Sequence, residues 1–272
     1  MKSAVIARWL TPLVLGLGLW QGLVLLTDAP PYILPGPGRV MTAGWHNAGL
    51  IASHAGITAL EVALGLLLGS LLGIATALVL MMLPRTRQAV LPLLVFSQAV
   101  PVFALAPLLT LWFGYGIGSK ILMAVLIIFF PVTSSFLDGL QRTDRGLLDL
   151  ADTLGAGPVS TLFQLRVPAA LPSLGSGLRL AAVYAPIGAV IGEWVGASRG
   201  LGYLMLLANG RVKTDLMFAA LLVLALLTVL LYTLIARLAG WLTRLSEGRA
   251  ASGAARRVDE IITPAPTQER VR

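Results

Sequence analysis

Cysteine is absent from this sequence, and charge is scarce in it. None of the 272 residues is a cysteine, which excludes a disulfide scaffold and any metal site built on thiolates. Only 12% of the residues are charged, against roughly 25% in soluble domains. With two histidines in the whole chain, we expect no metal site and no other cofactor. These shortages argue against a soluble enzyme.

The phosphate-binding loop of ATPases and a common zinc-binding motif are absent as well. The nearest approach to a phosphate-binding loop is residues 114–120, where Ser119 occupies the place of the second glycine. The zinc-binding motif H-E-x-x-H does not occur. We therefore predict that the chain is not an enzyme, has no catalytic residue and does not hydrolyse ATP by itself. Its net charge of +8 is spread between apolar blocks, which gives no basic face for nucleic acid.

What the sequence does have is long apolar runs, since 57% of its residues are apolar. About 20 such residues cross a bilayer as a helix. Six segments qualify, at 9–27, 56–83, 88–113, 119–140, 172–197 and 217–241. A cleaved signal peptide is the alternative for the first, but its apolar run is longer than a signal core of about 7–15 residues. We predict an all-α polytopic membrane protein with six transmembrane helices.

The distribution of lysine and arginine predicts the orientation. Most of the 20 basic residues fall on one side when both termini are placed in the cytoplasm, which predicts a multi-pass protein of the inner cell membrane. We expect three regions. Residues 1–54 hold the first helix and an external loop, residues 55–245 hold the core with five transmembrane helices, and residues 246–272 form a disordered cytoplasmic tail.

Small residues and prolines mark the interior helices. Glycines recur every four residues at 65, 69 and 73 and again at 188, 192 and 196, which predicts close helix packing at both places. Pro92, Pro101 and Pro107 are predicted to break the third helix, and Pro186 the fifth. Broken helices at mid-depth are common where transporters bind their substrates.

Polar side chains near these positions are candidates for a transport pathway. A structural kink with a satisfied hydrogen bond is the alternative at the third helix, and pairing near the outer surface is the alternative for Glu193 and for Glu61. The candidate pathway residues are Ser97, Gln98, Tyr184 and Glu193.

One internal segment, residues 141–171, alternates charged and apolar residues. Gly155 and Gly157 divide it into two predicted short amphipathic helices. Such helices lie on a membrane surface or bind in a partner's groove, and composition does not decide between these.

The same segment resembles the EAA signature of binding-protein-dependent ABC transporter permeases. The signature runs E-A-A, three residues, G, nine residues, then I-x-L-P. Asp149-Leu150-Ala151, Gly155 and Leu165-Arg166-Val167-Pro168 follow it in register. The resemblance implies the type I ABC importer permease fold with a cytoplasmic coupling helix that contacts an ATPase subunit. The implied ATPase-coupling residues are Asp149, Ala151, Asp152, Gly155, Leu165 and Pro168.

The resemblance also implies partners. They are a dimer of ABC ATPase subunits, a periplasmic or lipid-anchored solute-binding protein that docks near residues 114–119 and 196–216, a second copy of the chain, and membrane lipid. Residues 185–189 and 192–196 look similar to permeases for hydroxymethylpyrimidine, a thiamine precursor, within the nitrate, sulfonate and taurine branch. We predict import of such a precursor. The alternatives are a sulfonate, taurine or nitrate permease, a self-contained secondary transporter or channel, and a scaffold without transport.

Overall fold

The computed structural model describes the backbone of residues 2–262 and the side chains of residue 11 and residues 14–246. Within residues 2–262 all regular secondary structure is helical. The helices are α1 (Lys2–Thr27), α2 (Pro37–His46), α3 (Ala48–Met82), α4 (Pro84–Ala99), α5 (Val102–Phe113), α6 (Ile117–Gln141), α7 (Arg145–Thr153), α8 (Pro158–Thr161), a π-helix (Leu162–Arg166), α9 (Val167–Gly196), α10 (Leu201–Gly210) and α11 (Thr214–Ile262).

Four stretches of helix are long and apolar enough to cross a membrane. They are Ala48–Met82, Ile117–Gln141, Pro158–Gly196 and Thr214–Ser246. The pair α4 and α5 is a fifth candidate, while α1 contributes a shorter apolar stretch at Val14–Thr27. The transmembrane character predicted from the sequence is thus confirmed, and the count of six stays a prediction.

The third predicted span is broken at one proline, whereas breaks were predicted at three. α4 and α5 meet at an angle of 94°, and Pro101 sits directly before α5 in an extended conformation. Pro92 and Pro107 lie inside α4 and α5, and Pro186 lies inside the uninterrupted α9, so the breaks predicted there were wrong. Within a long helix packed by its neighbours, the loss of one backbone donor is tolerated.

Two predicted boundaries fall inside helices. Residue 54 lies in α3, and α11 continues through residue 246 to Ile262. Residues 263–272 of the predicted disordered tail lie outside the described residues.

The chain folds into two compact units. The first comprises Met1–Gly69, Val100–Ile128 and Val183–Leu231, and the second comprises Ser70–Ala99, Phe129–Ala182 and Tyr232–Arg272.

Close packing on α6 organises the first unit. A Cβ built at Gly65 of α3 would lie 2.4 Å from the Ala124 Cβ, and one built at Gly188 of α9 would lie 2.7 Å from the Ala124 Cα. A Cβ at Gly192 would lie 2.9 Å from the Cγ of Lys120. Backbones this close leave no room for a side chain, which confirms the close packing predicted from the glycine spacing.

The second unit uses the same device. A Cβ at Gly73 would lie 2.8 Å from the Phe129 carbonyl oxygen, and that of Gly139 would lie 2.6 Å from the Ser173 Cβ. Thr133 donates a hydrogen bond of 3.2 Å to the carbonyl of Gly73. α6 therefore contacts α3 and α9 closely in this unit also.

A pair of glycines on α3 tests the packing. In Gly65→Ala the new methyl meets Ala124, and we expect the protein to lose about 1–3 kcal/mol of stability by overpacking. The matched control is Gly56→Ala on the same helix, because a Cβ there meets nothing within 4 Å. Thermal unfolding in detergent should show a lower midpoint for the first variant alone. Equal midpoints for the two variants would contradict the packing described here.

Candidate functional site

The segment that resembles the EAA signature, residues 144–168, is called the coupling segment below. Its first helix, α7, is capped by the preceding Asp144, whose side chain accepts a hydrogen bond of 3.1 Å from the Leu147 N–H. Two residues after the last residue of the helix comes Gly155, which has a φ of +73°. The Ala156 N–H then returns to the Ala151 carbonyl at 2.9 Å. The signature glycine thus supplies the left-handed residue that ends a helix in this way.

The remaining coupling residues lie on both sides of this turn. Asp149 and Asp152 are exposed on α7, whereas Ala151 is buried. Leu154, directly after α7, is 77% exposed. A groove of about 260 Å³ separates α7 from the chain after it and is lined by Leu147, Leu150, Ala151, Leu154, Ala156, Ser160, Thr161, Gln164 and Leu165.

The second predicted amphipathic helix is instead the beginning of the fifth span. Helical structure starts at Pro158, passes through the π-helix and continues along α9, which includes Pro168. Proline is favoured in the first turn of a helix, because an N–H at that position has no partner inside the helix and its absence costs nothing. Arg166 donates a hydrogen bond of 3.1 Å to the carbonyl of Leu140. The prediction of a separate helix in this place was therefore wrong, and Arg166 fixes the end of the coupling segment to α6.

The four pathway candidates are in two places. Ser97 and Gln98 are exposed on α4 in the second unit, and their side chains contact the Leu94 carbonyl and each other. Tyr184 and Glu193 belong to α9 in the first unit. Tyr184 is 40% exposed, but Glu193 is only 1% exposed. A pathway role stays a prediction for all four.

Glu193 is buried because its carboxylate serves several donors. The Thr58 hydroxyl donates to Oε1 at 2.6 Å, and the Tyr203 N–H lies 3.4 Å from Oε2, which also accepts from the Gly202 N–H. Oε2 therefore accepts hydrogen bonds from N–H groups in the first turn of α10, which have no partner inside the helix. A carboxylate is also favoured there by the helix dipole.

Two further side chains from α3 complete this helix start. The Leu201 N–H donates to the Thr58 Oγ1 at 2.7 Å, and the Gly200 N–H donates to the His54 Nδ1 at 2.9 Å. Gly200 has a φ of +113°, and a Cβ at this residue would lie 2.2 Å from the Glu193 Cδ. The turn before α10 therefore requires glycine for both its backbone angle and its space.

Lys120 holds the other half of this cluster. It is 2% exposed, and its ammonium donates to the carbonyls of Tyr115 at 2.6 Å, Gly116 at 2.9 Å and Gly196. An ammonium has three donors, so all of them are used. Gly196 is the last residue of α9, where a cation is favoured by the helix dipole. We call Thr58, Lys120 and Glu193 together the polar brace.

Glu61 lies beside the polar brace and is unusual in its hydrogen bonding. It is 3% exposed and interacts electrostatically with Glu193 and Lys120. Its Oε2 has no hydrogen-bond partner, which is costly for a buried polar atom. Both carboxylate oxygens of Glu193 therefore have hydrogen-bond partners, as the predicted pairing requires, whereas one oxygen of Glu61 has none.

Sequence reasoning missed Lys120 and Thr58. Lys120 was expected only as the outer end of the predicted span 119–140, and it lies in the first turn of α6. One signal was available on α3, where His54, Thr58 and Glu61 are spaced by four and three residues and so share one helix face with Gly65. No comparable pattern marks Lys120, since its three partners are backbone carbonyls.

The chain matches a known family over most of its length. The family described as binding-protein-dependent transport system inner membrane component matches residues 65–246. A probable ABC transporter permease protein of Haemophilus influenzae is 52% identical over 228 residues, which is 83% of this chain and 93% of that protein.

Several other relatives have a substrate in their names, among them the following two. The formylaminopyrimidine transport permease protein ThiX of Halalkalibacterium halodurans is 41% identical, over 76% of this chain and 84% of its own length. The taurine transport system permease protein TauC of Escherichia coli is 30% identical, over 79% of this chain and 81% of its own length.

Substitutions at Glu193 test the role of its carboxylate. Glu193→Leu leaves the donors of Thr58, Gly202 and Tyr203 without an acceptor, and we expect a loss of about 3 kcal/mol or more. Glu193→Gln keeps one acceptor oxygen and should lose less, about 1–2 kcal/mol. Thermal unfolding should therefore rank the wild type above Glu193→Gln and Glu193→Leu lowest. The same midpoint for all three proteins would refute the assignment.

Proposed function

Because the chain belongs to the family of binding-protein-dependent transport system inner membrane components, we propose that it imports a pyrimidine precursor of thiamine. It is a multi-pass membrane protein and the permease subunit of an ABC importer. ATP is hydrolysed in such importers by a separate subunit, and the solute is delivered by a binding protein. In our proposal the chain lies in the inner membrane with both termini in the cytoplasm, and a second copy completes the pathway.

The difference in similarity to these two relatives favours a pyrimidine over taurine as the substrate. The chain is 41% identical to the formylaminopyrimidine permease and 30% identical to the taurine permease. Both comparisons cover about three quarters of this chain, so their lengths do not account for the difference. The proposed substrate is accordingly a small substituted pyrimidine such as hydroxymethylpyrimidine or its formylamino relative. The alternative substrates are taurine, other sulfonates and nitrate.

The coupling segment is the proposed contact with the ATPase. Leu150 on α7 and Leu154 directly after it are exposed apolar side chains, and they border the groove of about 260 Å³. An amphipathic helix with such a face is suited to a groove in a partner. Asp149 and Asp152 add exposed negative charge to the same helix. A cytoplasmic ATPase dimer would bind here and pass its motion to α6, which precedes α7, and to α9, which follows α8 and the π-helix.

Uptake measurements test the substrate. The permease is reconstituted in liposomes with its ATPase and its solute-binding protein, and labelled hydroxymethylpyrimidine, formylaminopyrimidine and taurine are supplied separately. We expect ATP-dependent uptake of a pyrimidine at least about ten times faster than that of taurine, since a site that hydrogen-bonds a ring rejects a ligand without those groups. The control omits ATP. Uptake of taurine with no uptake of either pyrimidine would refute the proposed substrate and leave the importer function intact.

Two glycines of the coupling segment test the ATPase contact. Gly155→Ala places a side chain at a φ of +73°, which costs about 1–2 kcal/mol, and should weaken ATPase binding about 5–30-fold. Gly157→Ala is the matched control, because Gly157 has a φ of −69° and a Cβ there meets nothing within 4 Å. Binding of the purified ATPase subunit to the permease in nanodiscs gives the affinity. If both variants bind like the wild type, the coupling segment is not the contact.

A further inference from the structure

The polar brace joins two loops that are themselves exposed. Loop 114–116 precedes α6 and includes Tyr115, which is 78% exposed. Loop 197–200 follows α9 and includes Arg199, which is also exposed. Beneath these exposed side chains, the Lys120 ammonium binds the carbonyls of Tyr115 and Gly116 from the first loop and that of Gly196 at the second. One buried cation thus fixes the first loop to the end of α9, from which the second loop starts.

The brace reaches three long helices as well. Lys120 is in the first turn of α6, Glu193 is in the last turn of α9, and Thr58 belongs to α3. The Thr58 hydroxyl has two roles, because it donates to Glu193 at 2.6 Å and accepts from the Leu201 N–H at 2.7 Å. This single hydroxyl therefore connects α3, α9 and the beginning of α10.

Burial makes these connections stiff. Thr58 is fully buried, and Lys120 and Glu193 are almost so. Hydrogen bonds in such surroundings are electrostatically strong, and no water is at hand to replace a lost partner. A shift of either loop relative to the helices would leave charged or polar groups unsatisfied. The loops and the helix segments that carry the brace are therefore expected to move together.

We propose that the polar brace transmits the docking of the loaded solute-binding protein from loops 114–116 and 197–200 to α3, α6 and α9. The inference rests on the proposed import function, which supplies the binding protein. By chain order, the brace is at the ends of α6 and α9 opposite to those that adjoin the coupling segment. A signal entering at the loops thus has two continuous helices along which to reach the ATPase. Thr58, Lys120 and Glu193 are positioning residues in this scheme and do not contact the solute.

Thr58 offers a matched pair of substitutions. Thr58→Val has nearly the same shape but no hydroxyl, so the Glu193 oxygen loses a donor and the Leu201 N–H loses its acceptor. Thr58→Ser keeps the hydroxyl and loses only a methyl group. Each variant is reconstituted in nanodiscs with the ATPase, and ATP hydrolysis is measured without and with the loaded solute-binding protein. The quantity compared is the ratio of stimulated to unstimulated hydrolysis.

We expect that ratio to fall about five- to tenfold in Thr58→Val and to stay near the wild-type value in Thr58→Ser. Thermal midpoints of both variants separate this effect from a loss of folding. If Thr58→Val is less stable but its stimulation ratio equals that of the wild type, the brace is only structural and the proposal is overturned. If the wild type itself is not stimulated, the proposed import function fails first.

The absence of cysteine from the chain allows a second measurement of the same idea. Spin labels are attached through the double substitution Tyr115→Cys and Arg199→Cys, one label on each loop. With Lys120 intact we expect a narrow distribution of distances between the labels, and with Lys120→Met a distribution at least about twice as wide. An equally narrow distribution in both would show that Lys120 does not hold the loops together.

Discussion

Two helix ends lie on either side of a short turn, and the hydrogen-bonding needs of their backbone groups set the main physical constraint in the first unit. The carbonyls at the end of α9, near Gly196, and the N–H groups at the start of α10, near Leu201, have no partner inside their own helix. Lys120 binds the carbonyl end, and Glu193 binds the N–H end. Because these partners are buried charges, each needs the other groups of the brace to remain in place. The arrangement of α3, α6 and α9 around the turn depends on that requirement.

The glycine contacts and the brace support each other. A lysine of this length reaches the end of α9 only because α6 packs against α9 without intervening side chains. The Cβ that Gly192 lacks would lie 2.9 Å from the Lys120 Cγ, and the one that Gly188 lacks would lie 2.7 Å from the Ala124 backbone. Lipid gives membrane helices no hydrophobic driving force to associate. Close approach of their backbones, as seen here, supplies packing energy instead.

The sequence was most informative where a pattern extends over many residues. Apolar runs predicted four of the spans, and the register of Asp149, Gly155 and Pro168 indicated the permease family that the chain matches. It was least informative at single prolines, because a proline bends or breaks a helix according to its neighbours. Pro101 coincides with a bend of 94°, whereas Pro186 lies in an unbroken helix. Short helices such as α10 were missed because no long pattern marks them.

By itself the sequence determined that this chain spans a membrane and belongs with importer permeases, since both follow from residue type and spacing. Only the tertiary structure decided what its few buried charges do. Thr58 and Lys120 lie 62 positions apart in the chain, and Glu193 lies a further 73 positions along it. No motif includes any two of them. Their role arises from contacts between helices, with Thr58 donating to Glu193 at 2.6 Å. Hydrogen bonds between distant segments depend on where the backbone places them, and one-dimensional spacing does not carry that information.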